Sequence, residues 1–422
     1  MTNRHAVVVG AGIGGLTAAV ALHRRGWQVT VCERAPEPPV TGAGIGLAPN
    51  ALRALDAIGI DVARAVGSAV PATMGVRRPD GRWLTRVGTA HMATRYGVAP
   101  LAVPRPALTA TLAAALPPAA LRHGTEVAGV DDAEGRATVR TAAGPDLPCD
   151  LVVAADGIHS PLRRAYFPAH PGLHYIGETA WRALVDAPDL RIPAMSETWG
   201  RGERFGVTPL ADGRYCLYAT TVVPPGTRFA DPRAELRQRF GAWHEPIPAL
   251  LDRVARLDPA DVLRNDLYDL AAPLPRLHHG RIAWLGDAAH AMAPNLGQGG
   301  CQAVEDAVVL AHLLPVGEGG YGGGTADPAV ADASPPTPPP GGTARTPCAC
   351  VPAASGGSAP CAIRSSRPSA TSRCAPPRRV WRCAPWTTSS TASASPHSRA
   401  RGAGPRATGW CGPGRRSGNP AR

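Results

Sequence analysis

Residues 6–33 read AVVVGAGIGGLTAAVALHRRGWQVTVCE, and this stretch decides the fold of the chain. It opens with a short apolar run over residues 6–9 that is rich in β-branched side chains, which predicts a buried strand. A helix is predicted over residues 14–25, and Gly26 supplies its stop. A second strand is predicted over residues 28–32. Strand, helix and strand in close succession are typical of a Rossmann-type α/β fold.

The glycines between the first strand and the helix match the pattern GxGxxG at Gly10, Gly12 and Gly15. In that pattern the first glycine makes a tight turn, the second lets the backbone approach a pyrophosphate, and the third lets helix and strand pack closely. The helix N-terminus adds a positive field for phosphates. Glu33 ends the second strand, where the ribose-binding acid of a dinucleotide fold lies. The stretch therefore predicts a dinucleotide site, with a purely structural glycine turn as the alternative.

A second glycine-rich segment, GAGIGL over residues 42–47, follows Glu33 and Arg34 and would let the backbone approach a long ligand. With this segment the sequence resembles the class A flavoprotein monooxygenases, which share the para-hydroxybenzoate hydroxylase fold. It is most similar to the salicylate, 6-hydroxynicotinate and urate hydroxylase branch. The resemblance implies that FAD is the bound dinucleotide, and it places Gly14 and Arg34 beside the other motif residues at the cofactor.

Two motifs in the middle of the chain extend the resemblance. Arg105, within Val-Pro-Arg-Pro, matches a family arginine that touches FAD, with an exposed capping arginine as the alternative. Asp156 and Gly157 follow an apolar strand predicted over residues 150–155, at the sheet edge where α/β proteins bind ligands. By resemblance, Asp156 helps to hold the flavin and is a candidate for contact with the pyridine nucleotide.

The third motif is the most specific. A strand predicted over residues 280–285 leads into Gly-Asp-Ala-Ala-His, and a helix is predicted over residues 301–314. By resemblance, Asp287 binds the ribityl chain, and the helix N-terminus faces the N1/O2 side of the flavin, where the reduced ring is negative. His290 is a candidate acid or base, although the family's histidine packs and caps. The residues of this region expected at the cofactor are Gly286, Asp287, Pro294, Gly297, Gly299 and Gly300.

Two hairpin signals predict a second, mostly antiparallel β-sheet interleaved with the first. They are Pro79-Asp80-Gly81 and Ala211-Asp212-Gly213, each between two strand-like runs. Such a sheet would roof the flavin and form the substrate wall. Trp181 and Arg182 resemble a Trp-Arg pair of the family and are candidates for shaping the substrate site or binding an anion. The alternative is a sheet tryptophan beside a solvated arginine.

The resemblance implies a monooxygenase cycle. NAD(P)H reduces FAD, O₂ adds at the flavin C4a, and the hydroperoxide transfers an OH group to a small aromatic or heteroaromatic ring, so the cofactor carries the chemistry. The chain has one dinucleotide fingerprint, so NAD(P)H has no domain of its own, which argues against two-Rossmann oxygenases and disulfide reductases. A flavin dehydrogenase or epoxidase of the same fold is the alternative. We expect a monomer or a homodimer.

Three regions are expected along the chain. The FAD-binding domain is discontinuous, and the substrate domain is inserted into it in two pieces. The predicted bounds are residues 1–74, 100–174 and 269–314 for the FAD-binding domain, 75–99 and 175–268 for the substrate domain, and 315–422 for a low-complexity tail.

Composition limits the partners. The chain has 422 residues and a net charge of +12, but residues 315–422 hold 13 arginines against 3 acids, so the body carries little net charge. We therefore expect no nucleic-acid or membrane partner, and a binder acting through the basic tail is a remote alternative. The uncharged run at residues 6–22 is studded with glycine, which argues against a signal peptide or anchor. The four cysteines of the body are far apart, which indicates a reducing cytoplasm and no metal site.

The sequence changes character after Leu314. The last 108 residues contain no leucine, phenylalanine, methionine or glutamine, and no acid follows Asp332. Such a composition cannot bury a core and predicts disorder. We hypothesise a frameshift near Ala333, with a genuine disordered tail as the alternative. A frameshifted chain would lack its native C-terminal helices and would leave apolar surface uncovered, which favours low stability or aggregation.

The gene sequence tests the frameshift. Read one base earlier, codons for residues 334–342 allow Leu-Ala-Ala-Tyr-Thr-Ala-Ala-Arg-Arg, which resembles the segment that follows in the family. We expect the minus-one frame past codon 333 to encode a helical segment that contains leucine. Sequencing of the gene checks this, and a minus-one frame without such a segment would refute the hypothesis.

Overall fold

The described part of the protein comprises residues 4–38, 43–67, 71–133 and 135–316 of a computed structural model. The hypothesised frameshift near Ala333 lies outside these residues. In chain order the strands are β1 His5–Val9, β2 Gln28–Cys32, β3 Gly44–Leu47, β4 Thr73–Arg77, β5 Trp83–Gly88, β6 Leu101–Pro104, β7 Leu121–Arg122, β8 Val127–Ala133, β9 Arg136–Thr141, β10 Leu147–Cys149, β11 Leu151–Ala154, β12 Leu173–Val185, β13 Ala194–Trp199, β14 Glu203–Pro209, β15 Tyr215–Val222, β16 Leu263–Leu270, β17 His278–His279 and β18 Ile282–Trp284. The helices are α1 Ile13–Arg24, α2 Pro49–Ala57, α3 Val62–Val66, α4 Thr89–Tyr96, α5 Arg105–Ala114, α6 Pro161–Tyr166, α7 Pro232–Phe240, α8 Ile247–Val254, α9 Asp287–His290 and α10 Gly299–Leu313.

A mainly parallel sheet carries the first motif, with the strand order β17-β18-β11-β1-β2-β7. Strand β1 lies between β2 and β11 and pairs in parallel with both. Its side chains alternate between two cores, Ala6 and Val8 in one and Val7 and Val9 in the other. Because both faces of the strand are covered, its residues 6–9 form an unbroken apolar run. The strand-helix-strand unit predicted from residues 6–33 is confirmed.

Helix α1 packs against α10 in the first of these cores. Its residues from Ile13 to Leu22 are all buried, which explains why this helix has apolar side chains on every side. A Cβ atom on Gly14 would lie 3.1 Å from the Cβ atom of Ala303 on α10. Gly14 therefore serves helix packing, because a side chain there would push the two helices apart.

Both predicted hairpins belong to one seven-stranded sheet, with the order β16-β12-β15-β14-β13-β4-β5. All neighbouring strands in it are antiparallel except β13 and β4. The predicted second, mostly antiparallel sheet is thus confirmed. One face packs on α7 and α8 around Phe205 and Phe240. We call it the core face, and the opposite face the cleft face.

The cleft face approaches a small ribbon in which β3 pairs antiparallel with β6. Leu210 and Cys216 of the sheet pack there against Ala102 of β6. The backbone N–H of Gly44 donates to Cys216 Sγ at 3.2 Å. The described part of the second glycine-rich segment is therefore strand β3, which lies between the parallel sheet and the cleft face.

None of the described helices has the length and apolarity needed to cross a bilayer. The cysteines of the described residues are all buried and unbonded to one another. Burial raises the pKa of the Cys32 thiol to about 11, so this thiol is protonated at neutral pH. Within the same residues, no group of three or more His, Cys, Asp or Glu side chains is arranged to hold a metal ion.

Candidate cofactor and substrate site

The glycine loop between β1 and α1 is shaped by close backbone contacts. Gly10 has φ of +102°, and a Cβ atom on it would lie 2.5 Å from the carbonyl oxygen of Ala155. A Cβ atom on Gly15 would lie 2.0 Å from the carbonyl oxygen of Gly10. A Cβ atom on Gly12, by contrast, would meet no described atom within 4 Å. Two of the glycines are required by the protein itself, and the third leaves space beside the N-terminus of α1, where a phosphate fits.

Glu33 lies beside this loop, at the carboxyl end of β2. Its two carboxylate oxygens accept hydrogen bonds from the backbone N–H groups of Ala11 at 2.8 Å and Ala35 at 2.9 Å. The acid is thereby fixed next to the glycines, at the position predicted from its spacing. The neighbouring Arg34 is exposed.

Asp156 follows β11 and reaches the same edge of the sheet. Its Oδ2 atom accepts from the backbone N–H of Leu162 at 3.1 Å, whereas Oδ1 is buried without a hydrogen-bond partner among the described residues. Burial raises the pKa of this carboxyl above its usual value. A buried carboxyl oxygen without a partner fits a hydrogen-bonding ligand at this edge, such as the hydroxyl groups of FAD.

A buried acid, Asp306, stabilises the Gly-Asp motif and was not predicted from the sequence. Asp306 on α10 accepts from the backbone N–H of Gly286 at 2.9 Å and lies 2.5 Å from Nε2 of His290. Both side chains are buried. Asp287 itself is exposed at the start of α9. The structure therefore gives His290 a contact that fixes the turn, and leaves Asp287 open to a ligand.

Arg163 is a second residue that sequence reasoning did not assign to the site. It is 3% exposed, and its guanidinium donates to the carbonyl oxygens of Asp287 at 3.2 Å and Ala288 at 3.0 Å. It also donates to the carbonyl oxygen of Ile158, two residues after Asp156. Arg163 thus ties the Asp-Gly motif to the Gly-Asp motif. Two signals in the sequence could have identified the missed residues. Arg163 follows Asp-Gly closely, and Asp306 is an acid on the apolar side of a predicted helix.

The loop from Pro294 to Gly300 lies between Asp287 and β3. Pro294 and Gly297 are exposed. A Cβ atom on Gly299 would lie 3.9 Å from Asp287 Oδ1, and one on Gly300 would lie 2.8 Å from Ile45 Cδ1. Helix α10 begins at Gly299, so its positive end opens beside the Asp287 carboxylate.

Arg105 begins α5 and is exposed, with its backbone N–H donating to Ala43 at 3.1 Å. Burial, together with the charge of Arg105, lowers the pKa of Arg182 on β12. Arg182 donates to Asn265 Oδ1 at 3.2 Å. The two predicted arginines are therefore close enough to interact electrostatically.

Trp181 and Arg182, which were predicted as a pair, lie on opposite faces of the seven-stranded sheet. Trp181 is 1% exposed and packs in the core face with its ring 5.0 Å from that of Phe229. Arg182 lies on the cleft face with Leu184 and Cys216, because successive side chains of a strand point to opposite faces. The expectation that Trp181 shapes the substrate site is therefore corrected to a core position, while Arg182 stays a candidate.

The model of the FAD binding domain family matches residues 4–326 of the chain. The chain belongs to this family. Aurachin C monooxygenase/isomerase of Stigmatella aurantiaca is 38% identical over 310 residues, which cover 73% of this chain and 80% of that protein. FAD-dependent urate hydroxylase of Klebsiella pneumoniae subsp. pneumoniae is 33% identical over 316 residues, covering 73% and 81%.

A solved structure is similar at the level of the whole fold. The crystal structure of Klebsiella pneumoniae HpxO complexed with FAD and uric acid superimposes with a TM-score of 0.67 and 32% sequence identity, covering 73% of this chain and 79% of that chain. These similarities make this chain an FAD-dependent oxidoreductase of the aromatic monooxygenase family, as its motifs predicted. FAD is its cofactor.

The glycine loop supplies a prediction that separates cofactor binding from folding. Gly15→Ala places a methyl group against the Gly10 carbonyl oxygen and should lower the thermal stability of the apoprotein. Gly12→Ala meets open space and should leave that stability unchanged, but weaken FAD binding about tenfold or more because the methyl group lies where a phosphate approaches. Thermal unfolding and FAD fluorescence titration measure the two effects. Equal FAD affinity in Gly12→Ala and the parent chain would contradict the assignment.

Proposed function

We propose that this chain hydroxylates a small aromatic or heteroaromatic substrate with NAD(P)H and O₂. The observation that carries the proposal is the meeting of three motifs at one sheet edge, opposite the cleft face of a second sheet. Glu33 and Asp156 come from distant parts of the chain and border the glycine loop, and Asp287 lies beside the N-terminus of α10. The carboxyl edge of a parallel sheet is the usual place for such a cofactor.

Different residues at this edge would bind different parts of FAD. The glycines and the N-terminus of α1 would hold the pyrophosphate, and Glu33 the adenosine ribose. Asp156 and Asp287 would hold the chain that leads to the ring. Bound FAD would accept a hydride from NAD(P)H and activate O₂ for transfer of one oxygen atom to the substrate.

The start of α10 and the loop before it would lie against the flavin ring. Backbone N–H groups at the positive end of a helix stabilise negative charge, which favours the reduced ring over the oxidised one. Asp306 supports this arrangement indirectly, because it joins α10 to the Gly286 turn. We propose that His290 has the same positioning task, since its Nε2 atom contacts Asp306 in a buried pair.

The cleft face would form the substrate wall. This proposal assigns residues 75–99 and 175–268 to a substrate domain and the flanking segments, 1–74, 100–174 and 269–314, to the FAD-binding domain. It is supported by the membership of β5 and β12–β16 in the seven-stranded sheet, whereas β1, β2, β11 and β18 form the parallel sheet. Arg182 would face the substrate or the ring from this wall.

Replacement of Asp287 tests the cofactor arrangement. Asp287→Ala removes an exposed carboxylate at the start of α9 and should raise the dissociation constant of FAD about tenfold or more, with little change in the stability of the apoprotein. Asp146→Ala, which removes another exposed acid in a loop, is the matched control. Flavin content after gel filtration gives the comparison, and full retention by Asp287→Ala would remove this residue from the site.

The proposed reaction predicts that an aromatic substrate accelerates flavin reduction. Anaerobic mixing of the FAD-loaded chain with NADH or NADPH, with and without phenols and hydroxypyridines, measures the rate at which the flavin absorbance bleaches. In air, consumption of NAD(P)H should match the hydroxylated product. A reduction rate indifferent to every aromatic compound, with no hydroxylated product, would favour a dehydrogenase of the same fold.

A further inference from the structure

One cross-strand row on the cleft face carries a polar cluster outside the cofactor arrangement proposed above. The strand register places Glu197 of β13, Gly206 of β14, Tyr218 of β15 and Arg182 of β12 side by side. Residues directly opposite one another in paired strands point to the same face. Tyr218 is two residues from Cys216, which contacts the β3 ribbon, so the cluster lies about 7 Å along the strand from that contact.

Gly206 sets the orientation of the tyrosine. A Cβ atom on Gly206 would lie 2.0 Å from ring atoms of Tyr218, so the ring lies flat over the glycine. From there the Tyr218 hydroxyl donates to Glu197 Oε2 at 2.6 Å. Burial and the neighbouring Glu197 raise the pKa of Tyr218 well above its usual value, so the phenol keeps its proton. Since that single proton is committed to Glu197, the phenol oxygen offers lone pairs to a ligand.

The charge around Glu197 favours the same ligand. Arg204 lies between Glu178 and Glu197, so at this end of the row one cation faces two carboxylates, while Arg182 lies at the other end. The side chains of these three residues are 17–23% exposed. A carboxylate brought beside them would be repelled, whereas an N–H or O–H group would be attracted.

Apolar side chains border the cluster on the same face. Met74 and Met195 are register partners in β4 and β13, and Val76 is the partner of Glu197. All three are half-buried. Methionine side chains adapt to flat rings, so this part of the wall accepts an aromatic ring while Tyr218 and Glu197 recognise its polar edge.

We propose that Tyr218, oriented by Glu197, recognises a ring N–H or O–H donor, and that the substrate is an uncharged aromatic heterocycle with such a donor instead of an aromatic carboxylate. This inference rests on the proposed function, because it concerns the substrate of that site. Arg182, at the other end of the row, would face an oxygen of the same ring. Tyr218 is then a specificity-determining residue, and Glu197 is a positioning residue that acts through it.

Three ligands test the inference by binding alone. The full FAD-loaded chain is titrated with 4(1H)-quinolone, with its N-methyl derivative, which lacks the donor, and with salicylate, which carries a carboxylate. Perturbation of the flavin absorbance gives each dissociation constant. We expect the quinolone to bind about tenfold or more tightly than the N-methyl derivative and than salicylate. No binding of the quinolone, or equal binding of all three, would overturn the inference.

Two variants test whether Tyr218 and Glu197 cause the preference for the quinolone. Tyr218→Phe keeps the ring over Gly206 and should weaken quinolone binding about tenfold while leaving the N-methyl derivative unchanged, so the preference disappears. Glu197→Gln removes one of the two carboxylates at this end of the row and should also strengthen salicylate binding. Glu203→Gln is the matched control, because this carboxylate pairs with Arg239 elsewhere on the sheet and should change none of the three constants.

The outcomes distinguish this inference from the proposed function. A preference for the quinolone that persists in Tyr218→Phe, in protein with the parent's FAD content and melting temperature, refutes the role of Tyr218. Hydroxylation of some aromatic compound without the predicted binding pattern contradicts the inference alone. If the predicted binding pattern is found without any hydroxylated product, the proposed function is contradicted. The role of Tyr218 in recognising a ring donor would still be supported.

Discussion

The close approach of α1 to the end of β1 is the constraint on which the rest of the site depends. The Cβ position of Gly15 is 2.0 Å from the carbonyl oxygen of Gly10, so helix and loop share space that no larger residue permits. This contact directs the helix N-terminus at the sheet edge and brings Glu33 within hydrogen-bond distance of Ala11. Gly14, one residue earlier, lets α1 lie against α10, whose own N-terminus opens on the same edge. The two glycines together thus position two helix ends for one dinucleotide.

Buried charge connects the motifs to one another. Asp306 reaches from α10 to the Gly286 turn and to His290, and Arg163 reaches from α6 to the carbonyl groups of α9. A buried acid or arginine is tolerated only when such partners satisfy it. These two residues do not face a ligand in the arrangement described, yet they fix the backbone that carries Asp287. The exposed acid is free to bind because the buried groups hold its turn.

The seven-stranded sheet divides its residues between stability and recognition. Its core face holds Trp181, Phe205 and Phe240 against α7 and α8, and its cleft face holds Arg182, Glu197 and Tyr218. Alternation along each strand makes both faces from the same segments. A change of register by one residue would exchange the two sets, so the packing of the aromatic core also fixes which polar groups face the cleft.

The sequence by itself determined the α/β fold, the order of the motifs and the residues at the glycine loop, because apolar periodicity, glycine spacing and the acid after β2 are local signals. The bounds of β2 and α10 were predicted to within two residues, and both hairpins were predicted from their turn residues. Only the tertiary structure decided that Trp181 belongs to the core, that Asp306 and Arg163 support the cofactor turn, and that Glu197, Arg204 and Tyr218 form one cluster. These residues are far apart in the chain, and no spacing rule joins them. Their association follows from strand register and buried hydrogen bonds, which exist only once the sheets have packed.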